Sequence, residues 1–386
     1  MKNGWQKKQL GELAELRGRI GWRGLTAKEY TESGPLFLSV HSLNYGDYVD
    51  FRDAFHISEE RYIESPEIML QKNDVLICKD GAGIGKTGIV GELPDRTTIN
   101  SSLLLIRSGK EILPKFLYRC LSSPYFQHIV SSRLNGATTP HLYQRDITEF
   151  PVVLPPLPEQ RRIVGTLDEA FEGIAIAKAN AEKNLQNARA LFESHRQSVF
   201  TQRGSGWMDT TVDQISTNLD SKRVPITKSD RKNGKYPYYG ASGIVDYVAD
   251  YIFEGDTLLI SEDGANLLAR STPIAFSVSG KYWVNNHAHI LKFESMATQR
   301  FVEFYLESTK LDGYIRGAAQ PKLTQAALNS IPIPIPKSVE ERQKIVDSLE
   351  SLQEETQRLG SIYERKLAAL EALKKSLLHQ AFAGKL

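Results

Sequence analysis

Cysteine is scarce in this chain of 386 residues, which has only Cys78 and Cys120. Two thiols cannot build a disulfide framework, and neither begins a Cys-x-x-Cys zinc site. Their apolar neighbours mark both as core residues. Long hydrophobic runs are also missing. Leu103-Leu104-Leu105-Ile106 is typical of what is present, whereas about 20 apolar residues are needed to cross a bilayer. The opening Met1-Lys2-Asn3-Gly4-Trp5-Gln6-Lys7-Lys8 has no apolar stretch of the kind that directs secretion, so a cytoplasmic protein is expected. Neither sign of charge dominates: 48 Lys and Arg face 46 Asp and Glu, a net of +2. Basicity therefore says nothing for or against a polyanionic partner. With 41% hydrophobic and 24% charged residues, the chain is an ordinary globular one, too long for a single domain.

Catalytic signatures are missing too. There is no His-Glu-x-x-His, no Gly-x-Ser-x-Gly, and no Asn/Asp-Pro-Pro-aromatic tetrad. Gly83-Ile84-Gly85-Lys86-Thr87-Gly88 matches the dinucleotide fingerprint, but a strand-like run ending at Pro94 follows where a helix is required. The phosphate-loop match fails as well, because Asp80 stands where its first glycine belongs. A glycine-rich hairpin offering backbone amides, Lys79 and Lys86 at a surface is the better reading. His287-Ala288-His289 could put two ligands on one strand face, but no third ligand has fitting spacing, so a hydrogen-bonded polar cluster is expected. Asp220-Ser221-Lys222 is similar to the end of a nuclease carboxylate–lysine motif, yet its neighbours Arg223 and Pro225 look like a loop.

What the chain does contain is written twice. Gly136-Ala137-Thr138-Thr139-Pro140-His141-Leu142 returns 181 residues later as Gly317-Ala318-Ala319-Gln320-Pro321-Lys322-Leu323. Glu159-Gln160-Arg161-Arg162-Ile163-Val164 returns as Glu341-Arg342-Gln343-Lys344-Ile345-Val346, and Asp74-Val75-Leu76-Ile77 as Asp256-Thr257-Leu258-Leu259. Each copy opens with a strand-rich globule. Residues 74–78, 87–90 and 103–107 read as strands in the first, and 247–253, 257–261 and 288–293 in the second. Short helices are expected at 115–121 and 298–306.

Each copy closes with a long helix. Pro158 suits a first helical position and Glu159 the positive first turn. Ser338-Val339-Glu340-Glu341 has capping-box spacing. Small and apolar residues then recur near a 3.5 spacing. The first seam is Ile163, Leu167, Ala170, Ile174, Ala177, Ala181, Ala188, Leu191 and His195. The second is Ile345, Leu349, Leu352, Thr356, Leu359, Tyr363, Leu370, Leu373 and Leu377, with Lys366 in the way. About 43 residues at 1.5 Å rise make a rod of roughly 65 Å, too long to lie against one such globule. Two copies related by a twofold would run these helices antiparallel. The expected class is α+β: two mixed α/β domains in pseudo-twofold tandem, separated by two long antiparallel coiled-coil helices. The boundaries are 1–157, 158–203, 204–337 and 338–386.

Several stretches together carry a family resemblance. They are the tandem plan, Leu154-Pro155-Pro156-Leu157-Pro158-Glu159-Gln160-Arg161 at the helix start, the Gly-x-x-x-Pro-x-Leu loop before it, Tyr236-Pro237-Tyr238-Tyr239-Gly240-Ala241-Ser242-Gly243-Ile244, and Asn285-Asn286-His287-Ala288-His289-Ile290-Leu291. In these the chain resembles the specificity subunit of Type I restriction–modification enzymes along essentially its whole length. Pro336-Lys337-Ser338 departs from the pattern by lacking the double proline.

The resemblance implies a non-catalytic subunit. Each globule would be a target recognition domain reading one half of a split sequence in double-stranded DNA. The helices would set the gap and dock two adenine methyltransferase subunits, with two endonuclease/translocase subunits as optional members. No cofactor or metal is implied in this chain; S-adenosylmethionine, ATP and Mg would sit on the partners. Candidate DNA contacts are Lys79, Lys86, Thr87, Thr138, Thr139, His141 and Tyr143 in the first half, and Tyr238, Tyr239, Ser242, Arg270, Asn286, His287, Gln320 and Lys322 in the second. Arg and Lys would meet phosphate or guanine edges, and Asn and Gln adenine edges; tyrosines would stack or hydrogen-bond. The plainer alternative is that these loops are only turns, with Asn286 and His287 supporting them from behind. A coiled-coil scaffold indifferent to DNA is the competing reading of the whole chain.

Overall fold

The computed structural model describes residues 4–19, 25–134, 141–317 and 320–386. The chain divides into two compact units: 1–181 with 365–386, and 182–364. Each unit thus holds one globule together with a stretch of each long helix.

In the first unit an antiparallel sheet runs in the order Ala14–Arg17, Leu103–Ser108, Val75–Cys78, Thr87–Ile89. Every residue of Val75–Cys78 is buried. Strand side chains alternate between faces, so this sheet separates two cores. Val75, Ile77, Leu104 and Ile106 join a cluster with Phe116, Leu117 and Leu121 of the helix Pro114–Leu121. Leu76, Cys78, Leu103 and Leu105 face a second cluster containing Leu38 and Ile99. Those last two lie on a smaller sheet ordered Phe55–Ile57, Tyr30–Leu38, Thr97–Ile99, whose last two strands run parallel.

The second unit repeats the plan. Its first sheet is Thr217–Asn218, Ala288–Lys292, Thr257–Ser261, Ala275–Val278. Leu258 and Ile260 point to the cluster that includes Phe301 and Val302 of the helix Met296–Ser308. Leu259 and Ile290 point to another, built on Tyr282 and Val284. The companion sheet is Gly243–Val248, Asn233–Gly240, Lys281–Val284, Phe253–Glu254, again with a parallel central pair. The strand expected over 247–253 is instead two pieces. Val248 ends its pairing with Asn233–Gly240, the chain turns through 249–252, and Phe253 pairs with Tyr282 of another strand. The pattern of β-branched and aromatic residues does not encode that change of partner.

Residues 157–201 and 339–382 form the long helices. Gln160 is fully buried at the start of the first. Its amide donates to the carbonyls of Glu111 (2.9 Å) and Pro155 (2.8 Å), and its oxygen accepts from the Leu113 amide (2.8 Å). This one side chain ties the helix start to the turn before Pro114–Leu121. At the equivalent position Arg342 donates to the Pro336 carbonyl at 2.8 Å and to the Thr298 hydroxyl at 2.9 Å.

Within each unit the two helical stretches run antiparallel. In the first, Lys178 pairs with Glu371, and Arg162 donates to the Leu386 carbonyl at 2.8 Å. In the second, the Leu185 side chain faces Gly360, and Phe200 shares a core with Val346 and Leu349. Three seam positions differ from expectation: His195 is exposed, and the other two shift by one residue. Phe192 is buried and Leu191 is 54% exposed; Lys374 lies over the Phe171 ring and Leu373 is 46% exposed. A strict 3.5 count drifts by one residue here because an aromatic or long side chain reaches the seam from the neighbouring position. Lys366 is exposed and Leu367 takes the inward place.

Candidate nucleic-acid interface

In both units the loops collect at one end of the central strand. In the first, Lys79 follows that strand and donates its amide to the Ser102 carbonyl at 2.8 Å. The Leu142 amide donates to the Lys79 carbonyl at 2.9 Å, so His141 and Leu142 are stitched beside it. Asp80 forms an isolated antiparallel bridge with His141 and bonds its ring. The second unit is built alike: the Leu323 amide donates to the Glu262 carbonyl at 2.8 Å, and Asp263 bridges Lys322. The hairpin tip at Ala241 is held by the Ser261 hydroxyl, and the Asn285 amide donates to the Tyr239 carbonyl at 3.0 Å.

The glycine hairpin after Val75–Cys78 is explained by packing. Gly85 has φ +86°, and a Cβ on Gly83 would lie 2.6 Å from a Val40 methyl. The amides of Ile84, Gly85 and Lys86 donate to the carbonyls of Gly81, Cys78 and Gly83 within the turn. These amides are therefore spent inside the hairpin and are not presented to a phosphate, which corrects the sequence reading. Lys86 is exposed, with its ammonium on the Asn44 amide oxygen at 2.7 Å.

The candidates divide into those gathered at the loop end and those held elsewhere. Lys79, Lys86, His141 and Tyr143 surround it in the first unit, with Tyr143 55% exposed and edge-on to His141. Ser242, Asn286, His287 and Gln320 lie on exposed loop positions of the second, and Lys322 is exposed at the start of the short strand Lys322–Leu323. His287 donates to the Asp263 carboxylate at 2.9 Å. Thr87 turns away to the Ser122 hydroxyl at 2.9 Å. Tyr238 is 1% exposed, its hydroxyl bonded to the Ile226 backbone under the Arg231 guanidinium. Tyr239 is half-buried against Phe276 and Tyr282. Arg270 closes the last turn of Met296–Ser308, donating to the carbonyls of Leu306 (3.0 Å) and Thr309 (2.8 Å). For Thr87, Tyr238 and Arg270 the structure thus supplies a structural occupation. Thr138 and Thr139 lie outside the described residues.

Residues that the sequence reading missed line a cleft of about 1010 Å³ in the first unit. They include Ser39, His41, Tyr45, Arg52, Asn100 and Ser102, beside Asp80. A signal exists for Asn100 and Ser102 alone. Asn100-Ser101-Ser102 precedes the strand Leu103–Ser108 as Asn285-Asn286-His287 precedes Ala288–Lys292, although only the latter was singled out.

Beneath the loops of the second unit lies a buried polar network. His289 donates to Asp220 at 2.5 Å and to the Leu323 carbonyl at 2.8 Å; Arg223 reaches Glu262 at 2.6 Å, and Lys322 reaches it at 3.1 Å. Asp220, Glu262 and His289 offer ligand atoms close enough for a cation. Arg223 and Lys322 already supply positive charge there, and the three atoms are engaged in these bonds. Burial pushes the Asp220 carboxyl upward, but His289, the Ile290 amide and Arg223 outweigh it, leaving the group below its ordinary value. Glu262 is likewise lowered against burial by Arg223 and Lys322. Both thiols are buried core groups, and desolvation pushes Cys120 up to about 12.

Fold and loop clusters together define a protein of two tandem, equivalently built domains. The profile of the family described as Type I restriction modification DNA specificity domain matches residues 2–187 and again 204–364. The chain belongs to that family. It is 40% identical over 146 residues to a putative type I restriction enzyme specificity subunit of Haemophilus influenzae, a match covering 37% of each chain. It is 29% identical over 218 residues to the EcoBI specificity subunit of Escherichia coli, covering 55% of this chain and 44% of that one. The matches thus span less than half the length of these two relatives. A chain solved in work on complex assembly and conformational transition of the type I R-M system superposes with a TM-score of 0.81. That likeness covers 100% of this chain and 99% of the other at 17% identity, and it shows the shared fold.

Proposed function

We propose that this chain is the sequence-reading, non-catalytic subunit of a Type I restriction–modification complex. Each globule reads one half of a bipartite DNA target. The observation that carries this reading is the doubling of one loop cluster: polar side chains gathered at the same strand ends, in both units, over an equivalent pair of sheets. A scaffold indifferent to DNA has no use for such a cluster, still less for two.

The antiparallel helices serve as the spacer between half-sites and as the docking surface for two adenine methyltransferase subunits. Domains at 1–157 and 204–337, with spacers at 158–203 and 338–386, suit that division of labour. Adenine must leave the base stack to be methylated, and that chemistry, with its S-adenosylmethionine, belongs to the partners. ATP and Mg belong to endonuclease/translocase subunits where these join. Much of the phosphate grip would also come from partners, which accommodates a net charge of only +2. Among the described residues no helix is long and apolar enough to cross a membrane, and a cytoplasmic site of action suits a DNA-reading complex.

The test is to replace the first globule with that of a relative. One half-site changes and the other persists if each globule reads independently; loss of both contradicts it.

A further inference from the structure

We propose that Arg52 reads a guanine in the half-site of the first domain; the inference rests on the DNA-reading function above. Arg52 lies on the rim of the cleft formed by the loop-end residues of the first unit. Its side chain is 62% exposed yet held in one plane. Asp50 accepts from Nε at 3.1 Å and from Nη2 at 2.8 Å, and the guanidinium carbon lies 4.1 Å from the centre of the Tyr45 ring. Tyr45 is fixed in turn by donating to Asp53 at 2.5 Å. Nη1 has no partner among the described residues. The far edge of the fork, Nη1 and the second hydrogen of Nη2, is therefore left pointing away from Asp50.

A free edge of this kind matches the two acceptors, O6 and N7, that guanine shows in the major groove. An exposed ion pair two residues apart adds little stability, so the arrangement gains its use from orientation. The loop that carries Arg52 is itself anchored. Asp47 pairs with the buried Arg119 at 2.6 Å and accepts from Tyr118 at 2.9 Å; residues 47 and 49 exchange backbone bonds with Ile89. Fixing the donor plane before binding lowers the cost of ordering a long side chain.

Arg96 provides the contrast. It too is exposed, pairs with Glu59 at 2.6 Å and lies over Tyr62. It precedes the strand Thr97–Ile99, whereas the loop-end residue Asn100 follows it. Arg96 is therefore at the wrong end of that strand to read bases.

The experiment is methylome sequencing of cells expressing the full chain with its adenine methyltransferase partner, as wild type, Arg52→Ala, Arg52→Lys and Arg96→Ala. The expected result is a wild-type motif with a guanine in one half-site. Both Arg52 variants should then lose discrimination at that single position by roughly 5- to 150-fold, with the other half-site intact and Arg96→Ala unchanged. Discrimination retained in Arg52→Lys would overturn the inference, because a lysine has no planar fork, and an even loss over all sites would make Arg52 a phosphate contact and overturn it as well. So would an unaltered motif in Arg52→Ala. A wild-type complex with no motif at all would overturn the DNA-reading function itself. Retention of the second half-site reports that each variant has folded and assembled.

Discussion

Buried polar side chains do the joining in this protein, and their energetics are asymmetric. Gln160 satisfies three backbone groups at once. Gln160→Leu keeps the volume and strands all three, so it should cost about 2–4 kcal/mol. Denaturant unfolding would register this as a lower midpoint, and an unchanged midpoint would show the ties to be dispensable. Asp220 and Glu262 bear on pH. Both carboxyls are held below their ordinary values of 3.8 and 4.5 in the folded chain. The unfolded chain therefore takes up protons first as pH falls. The network's contribution is complete above those ordinary values and is lost as pH drops through the lower folded ones. Asp220→Asn should be less stable at pH 7 but flatter in its acid dependence below about pH 4. Stability measured across a pH series checks this, and equal slopes for the two chains would contradict it.

The long helices were legible at the level of elements because proline, capping residues and a sustained 3.5 repeat all agree. An in-register insertion of seven residues in both helices should preserve the pairing and widen the unread gap by about 3 base pairs, since seven residues add roughly 10 Å. Methylation mapping reads the gap directly, and constant spacing would contradict a spacer role. The central strands were legible for a similar reason: short, wholly apolar runs such as Val75-Leu76-Ile77-Cys78 are buried on both faces. The break at 249–252 was not, because exchanging one sheet neighbour for another leaves no mark in residue periodicity. The seam shifts at Phe192 and Lys374 depend on side-chain reach, which spacing alone does not convey. Among candidate contacts, loop position could be read from Gly and Pro. Orientation could not, so Tyr238 looked available although its hydroxyl is consumed by Ile226. The cleft around Arg52 was missed because loops distant in sequence supply its walls.

For the whole molecule, the internal repeat is the deepest regularity. It reappears as matched sheets, matched backbone ties after the central strands, and matched helix starts in which Arg342 takes the role of Gln160. On the proposed function, doubling of this kind makes two readers from one plan while leaving the loops free to differ. The glycine hairpin beside the first cleft and the ionic network beneath the second cluster are such differences. Two clusters that differ in chemistry should read two unlike blocks of bases. The most direct test is to map methylated adenines in a host that carries only this chain and its methyltransferase. The account predicts two short, dissimilar specific blocks separated by a fixed run of unspecified bases. A single continuous block, or methylation without sequence preference, would contradict it.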